Sequence, residues 1–215
     1  MSDSQNGLII VEGPIGVGKS SLAKRLAESL QCDFVREAAE ENPFLDHFYK
    51  NSTESALPVQ LFFLTQRVRQ WERLQQQDLF SQRVVSDFMM EKDRLFAGLT
   101  LSDDEFQLYD RIYQAFSVPA STPDLVIYLQ APVETLKQRV RKRGLPAEKY
   151  IQDSYLEGLS EAYARFFHHY DSSPLLIVNA SDFNPIENEA DYQELYKRIL
   201  TIRSGRHYFN PLPTA

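Results

Sequence analysis

Cys32 is the only cysteine in 215 residues, which excludes an intrachain disulfide and suits a reducing compartment. It falls in the strand-like run Cys32-Asp33-Phe34-Val35, where a small buried hydrophobe is a better reading than a reactive thiol. Cations are in the minority, 23 Lys and Arg against 30 Asp and Glu, and the net charge is −7. A broad nucleic-acid-binding face is therefore not expected, and any bound anion must be caught in a local pocket. No apolar run is long enough to span a bilayer, so no membrane partner is expected. The polar opening Met1-Ser2-Asp3-Ser4-Gln5-Asn6 has no signal-peptide core, and a cytoplasmic location is the expectation. Residues 1–215 read as a single domain, with no internal repeat, low-complexity tract or linker.

Glycine is also scarce, which makes its distribution informative. Of eight glycines, three fall between Gly13 and Gly18, in Gly13-Pro14-Ile15-Gly16-Val17-Gly18-Lys19-Ser20. Backbone amides wrap a phosphate only where no Cβ blocks the approach. The pattern follows the apolar run Leu8-Ile9-Ile10-Val11 and precedes a helical one, the context that a phosphate loop requires. Residues Gly13 to Ser21 are thus expected to hold a nucleoside triphosphate, with Lys19 on the β- and γ-phosphates and the Ser20 hydroxyl on Mg²⁺.

Strand and helix patterns alternate along the chain. Strands are expected at Leu8–Glu12, Asp33–Glu37, Arg83–Asp87, Leu125–Leu129 and Leu175–Val178. Helices are expected at Lys19–Leu30, Phe44–Tyr49, Pro58–Gln77, Asp103–Phe116, Glu134–Arg143, Asp153–Tyr170 and Asp191–Ile202. The tail after Arg203, with Pro211 and Pro213, reads as irregular. Such alternation calls for an α/β fold of three layers, a central parallel sheet with helices on both faces, of the P-loop NTPase type.

Ligands of open α/β sheets bind beyond the carboxyl ends of the strands. Glu37 and Asp87 both sit there. Asp87 reads either as the acid that shares Mg²⁺ with Ser20 or as a cap on the next helix. Glu37 opens the acidic run Glu37-Ala38-Ala39-Glu40-Glu41, which is a solvated charge run unless its strand-end position gives it work. Arg139 and Arg143, four apart, share one helix face. They either complement the helix dipole or form a lid that clamps the transferred phosphoryl group, with Gly144 and Pro146 as hinge and stop. The pair His168-His169 has no spacing that suggests a metal site and reads as helix surface.

From about Leu8 to Ile202 the spacing of these residues resembles the deoxynucleoside kinases, nearest to their bacterial purine-leaning branch. The resemblance implies ATP as donor, Mg²⁺, a deoxyribonucleoside acceptor and a homodimer formed through Pro58–Gln77 and Asp103–Phe116. It makes Glu37 the base facing the 5′-hydroxyl, and Tyr49 and Glu148 ligands of the 3′-hydroxyl. Gln60, Arg67 and Asp93 become nucleobase contacts, and Arg139 and Arg143 the lid arginines. Asp182-Phe183 is similar to the loop that stacks on the adenine of ATP. On the residues alone, Gln60 is equally a polar residue on the apolar helix Leu57–Leu64, and Tyr49 a half-buried core tyrosine. The amide of Gln60 suits an adenine edge, with cytosine presenting a similar pattern, so the sequence leans to deoxyadenosine while guanine and cytosine stay open.

Two departures stand out. The family's acid-Arg-Ser triplet is here Asp87-Phe88-Met89, and Leu145 occupies the place of a third lid arginine. Both shift charge stabilisation towards Arg67 or Arg139. Rival readings are a thymidylate-type nucleoside monophosphate kinase and a non-catalytic nucleotide-binding accessory subunit on the same fold. A carboxylate at Glu37 and no cation at residue 88 suit a neutral acceptor better than an anionic one.

Overall fold

A computed structural model describes residues 7–50, 54–76, 83–116, 122–181 and 183–211. Its centre is a sheet of six strands: β1 (Gly7–Glu12), β2 (Asp33–Val35), β3 (Arg83–Ser86), β4 (Leu125–Gln130), β5 (Leu175–Asn179) and β6 (Arg206–Phe209). All pairings are parallel, in the order β2-β3-β1-β4-β5-β6. Among the described residues the helices are α1 (Lys19–Leu30), α2 (Leu45–Lys50), α3 (Ala56–Gln76), α4 (Glu91–Thr100), α5 (Asp103–Ala115), α6 (Val133–Arg143), α7 (Asp153–His169) and α8 (Glu189–Thr201). None of them is long and apolar enough to cross a membrane.

The central strands are apolar throughout because both faces are covered, and their side chains divide strictly by parity. Ile9, Val11, Leu125, Ile127, Leu129, Leu176 and Val178 pack with Leu22 and Leu26 of α1, Leu136 of α6 and Leu195 of α8. Leu8, Ile10, Val126, Tyr128, Leu175 and Ile177 face the other way, onto Trp71 of α3 and Leu159, Tyr163 and Phe167 of α7. Outside this layer α3, α4 and α5 share a smaller cluster built on Leu64, Val68, Ala97 and Tyr109.

Three expectations are corrected. β2 stops at Val35, so Glu37 lies two residues past the strand, in the turn leading to the 3₁₀ segment Ala39–Glu41. The tail is not irregular throughout: Arg206–Phe209 forms the edge strand β6, whose polar, half-exposed residues lack the apolar signature of the inner strands. Helix α4 was not anticipated. Its first turn carries Lys92 and Asp93, both buried, and two charges facing inward erase the usual apolar spacing.

Candidate active site

At the end of β1 the chain turns sharply through the glycines. Gly16 and Gly18 have φ of 85° and 104°, a region that other residues rarely adopt. A Cβ at Gly13 would strike the Leu129 carbonyl, and one at Gly16 would lie 2.8 Å from the Leu136 carbonyl. The amide of Val17 closes the turn on the Pro14 carbonyl at 3.2 Å, and α1 starts at Lys19. This is a glycine cradle at the N-terminus of a twelve-residue helix, the geometry that receives phosphate oxygens. Pro14 and Val17 are buried supports, Ile15 packs towards the α7 side, and Ser20 and Ser21 are exposed on the first turn of α1.

Lys19 is half-buried, and desolvation, aided by the like charge of Lys92, draws its ammonium down to about 8. Glu12, Glu37 and Asp87 are the acids near enough to oppose that fall. Glu12 escaped the sequence reading. It is fully buried, and its carboxylate accepts from the amides of Gly13 and Met89, each at 3.0 Å, and from the Tyr163 hydroxyl at 2.9 Å. Burial pushes its carboxyl up, while three donors favour the anion. An acid ending an otherwise apolar strand directly before the glycines was the available signal.

Across from the cradle, four charges interlock. One oxygen of Glu37 pairs with Arg67 of α3, and the other accepts from Lys92 Nζ at 2.6 Å. The second amino group of Arg67 pairs with Asp93. Burial alone would raise the Glu37 carboxyl, but Arg67, Lys92 and Lys19 outweigh it and hold the group at about 2. Asp87 fixes the backbone beneath, its Oδ1 accepting from the Glu37 amide at 2.7 Å. Two atoms of the cluster, Arg67 Nε and Asp93 Oδ2, are buried with no partner among the described residues. Lys92 is a second residue that the sequence reading missed, since nothing in its local pattern announces a buried lysine.

Gln60 is buried on α3, and its Nε2 donates to Thr100 Oγ1 at 3.1 Å, which in turn donates to the Phe96 carbonyl of α4. Tyr49 is half-buried with its ring against Phe48 and Tyr155, and burial raises its hydroxyl well above the usual range. Beside it lies a cavity of about 320 Å³ lined by Phe48, Tyr49, Leu99, Thr100, Tyr150 and Tyr155 among others.

The two candidate lid arginines of α6 are engaged. Arg139 donates to the carbonyls of Val17 and Ala180 at 3.3 and 2.8 Å, bracing the glycine loop rather than projecting from it. Arg143 meets Glu148 through two nitrogens, so these two candidate ligands neutralise each other. Phe183 is a buried core ring packed edge-on against Phe209, 5.3 Å away. Asp182 lies outside the described residues.

Mg²⁺ takes few protein ligands, keeping waters and phosphate oxygens for the rest. The Ser20 hydroxyl and the Asp87 carboxylate are a donor set of that kind, with one Asp87 oxygen already bonded to Glu37. The cradle and Lys19 suit a triphosphate, Ser20 and Asp87 are the oxygen donors that would hold its magnesium, and Glu37 is a fixed anion able to accept a hydrogen bond from a hydroxyl.

A family profile described as deoxynucleoside kinase matches residues 9–203. A deoxyguanosine kinase of Bacillus subtilis (strain 168) is 38% identical over 72% of this chain and 75% of its own length. A deoxyadenosine kinase of Lactobacillus acidophilus is 29% identical over 89% of this chain and 94% of its own. Among solved structures, a deoxyadenosine kinase from M. mycoides with bound dATP superposes with a TM-score of 0.78 at 23% identity, covering 91% of this chain and 100% of that one.

Proposed function

Because the chain belongs to the deoxynucleoside kinase family, we propose that it transfers the γ-phosphoryl group of ATP to the 5′-hydroxyl of a purine 2′-deoxyribonucleoside. The observation that carries the reading is Glu37, clamped by Arg67 and Lys92 near the glycine loop and its lysine. The acceptor oxygen attacks the γ-phosphorus, the bond to the bridging oxygen of the departing ADP breaks, and the hydroxyl proton is held by Glu37. A carboxylate drawn down to about 2 is a poor base, so Glu37 serves first by aligning the hydroxyl, as suits a loose transition state. Lys19 and the loop amides hold the donor phosphates, and Mg²⁺, when bound through Ser20 and Asp87, neutralises charge that builds on them.

In this reading Tyr49 and Glu148 bind the 3′-hydroxyl and Gln60, Arg67 and Asp93 the base. Arg139 and Arg143 belong to a helical lid in which Arg143 exchanges Glu148 for phosphate on closure. Deoxyadenosine was favoured on Gln60, yet one hydrogen of that amide is already given to Thr100. Arg67 Nε and Asp93 Oδ2, buried and without a partner among the described residues, would offer a donor and an acceptor to the carbonyl and ring N–H of guanine once the side chains above them part to admit a base. The reading therefore puts deoxyguanosine ahead of deoxyadenosine. A phosphate oxygen has no hydrogen to give the Glu37 carboxylate, whereas a hydroxyl has, which disfavours the monophosphate kinase.

Purified protein incubated with labelled ATP and each deoxynucleoside and nucleoside monophosphate tests it. A 5′-monophosphate of deoxyguanosine, with deoxyadenosine second, is the expected product. Glu37→Gln is expected to cut turnover by roughly 10²-fold or more with ATP affinity nearly unchanged. Phosphorylation of monophosphates alone, or turnover untouched in the glutamine variant, defeats the proposal.

A further inference from the structure

Lys92 is a buried ammonium in the first turn of α4, its side chain 4% exposed. Burying such a charge costs several kcal/mol unless it is well paired, so its presence calls for a compensating role. Among the described residues it hydrogen-bonds Glu37 Oε2, at 2.6 Å, and its Nζ lies 5.5 Å from the centre of the Phe96 ring. The other groups facing this carboxylate are Arg67 from α3 and Lys19 from α1, with the Glu12 carboxyl at the end of β1 close enough to feel both Glu37 and Lys92. The Tyr163 hydroxyl of α7 completes the surroundings through Glu12.

The chain's route to this position is telling. After Asp87 the next side chain, Phe88, is wholly buried with its ring 6.0 Å from the Arg67 guanidinium, so residue 88 meets the cluster with an uncharged face. The Lys92 amide then bonds the Met89 carbonyl at 3.3 Å as α4 begins, and that turn swings the lysine back over Glu37. Arg67 is already committed to two carboxylates, whereas among the described residues Lys92 pairs with Glu37. With one oxygen held from α3 and the other from α4, the carboxylate plane is fixed at two points, leaving a lone pair for a hydroxyl.

We propose that Lys92 is the positioning residue for Glu37, supplying from α4 the cation that the segment after Asp87 lacks. This rests on the kinase reading above. Lys92 sets the orientation of the carboxylate towards the acceptor and contributes little to binding either substrate.

The test compares wild type, Lys92→Met, Lys92→Arg and Lys92→Ala, reading kcat and both KM values. Lys92→Met is expected to lose about 10²-fold in kcat, with each KM within about threefold of wild type. Lys92→Arg should recover most of the loss. Ethylammonium added to Lys92→Ala should restore turnover saturably, and tetramethylammonium, which has no N–H, should not. A kcat for Lys92→Met within twofold of wild type, or a loss that neither arginine nor ethylammonium repairs, overturns the proposal. Melting temperatures of Lys92→Met, Glu37→Gln and the double variant give a readout independent of turnover. A coupled pair makes the double variant melt above the sum of the single losses, and strict additivity overturns the pairing. Wild-type protein that phosphorylates no deoxynucleoside sinks the kinase reading instead, and the melting cycle alone then decides whether Lys92 holds Glu37.

Discussion

Arg67 joins two carboxylates that would otherwise repel each other inside the protein, since Asp93 is fully buried and Glu37 nearly so. Replacing it with methionine keeps the volume but leaves Glu37 with Lys92 alone and Asp93 with nothing. We expect Arg67→Met to lose about 3–5 kcal/mol of stability, measured by urea unfolding, since breaking a buried pair strands a charge. A loss below about 1 kcal/mol would mean that the carboxylates find other partners or water. Glu12→Gln is expected to cost about 1–3 kcal/mol, because the amide nitrogen takes the place of one acceptor oxygen and so meets at least one N–H donor that the carboxylate satisfied. Singly, these residues were only partly legible. Glu37 was marked by its place beyond a strand, and Arg67 and Asp93 by the family resemblance, but that one guanidinium binds both acids is a tertiary fact that no local pattern encodes. Glu12 and Lys92 were missed because neither the acid that closes β1 nor a lysine inside the charged run Glu91-Lys92-Asp93-Arg94 shows its partner in the local sequence.

Elements were easier to read, since periodicity reflects what each face touches. The inner strands and α1 emerge directly from Leu8–Val11, Leu125–Leu129 and the Leu22, Leu26 spacing. α5 announces itself through the capping box of Ser102 and Glu105. β6 does not, because an edge strand buries only half its residues and carries Arg206 and His207. Yet it closes the sheet, donating its pairing to β5 and the Phe209 ring to Phe183. Truncation after Ser204 is expected to lower Tm by roughly 5 °C or more in scanning calorimetry, given about 2–4 °C per kcal/mol for a chain of this size. An unchanged Tm would make β6 a passenger on the β5 edge.

For the whole molecule, the sheet order sets β2 and β3 side by side next to β1, so the glycine loop, Glu37 and Asp87 leave neighbouring strands at one rim. That convergence was legible, because parallel α/β topology dictates it once strands and helices alternate. Association is a matter of surface, and a homodimer through α3 and α5 remains our proposal, with Leu108 and Phe116 exposed on or beside α5. Light scattering should give a mass near twice 24.9 kDa for wild type and near 24.9 kDa for Leu108→Glu, and a monomeric wild type removes the dimer. The Arg67 bridge has a consequence for how such a protein can diversify. If Asp93 reads the base and Glu37 serves the sugar, then any exchange at 93 that recruits a new base also loosens the grip on Glu37. Selectivity and speed are geared together here, so a redesign of one would have to re-anchor the guanidinium before the other could be kept.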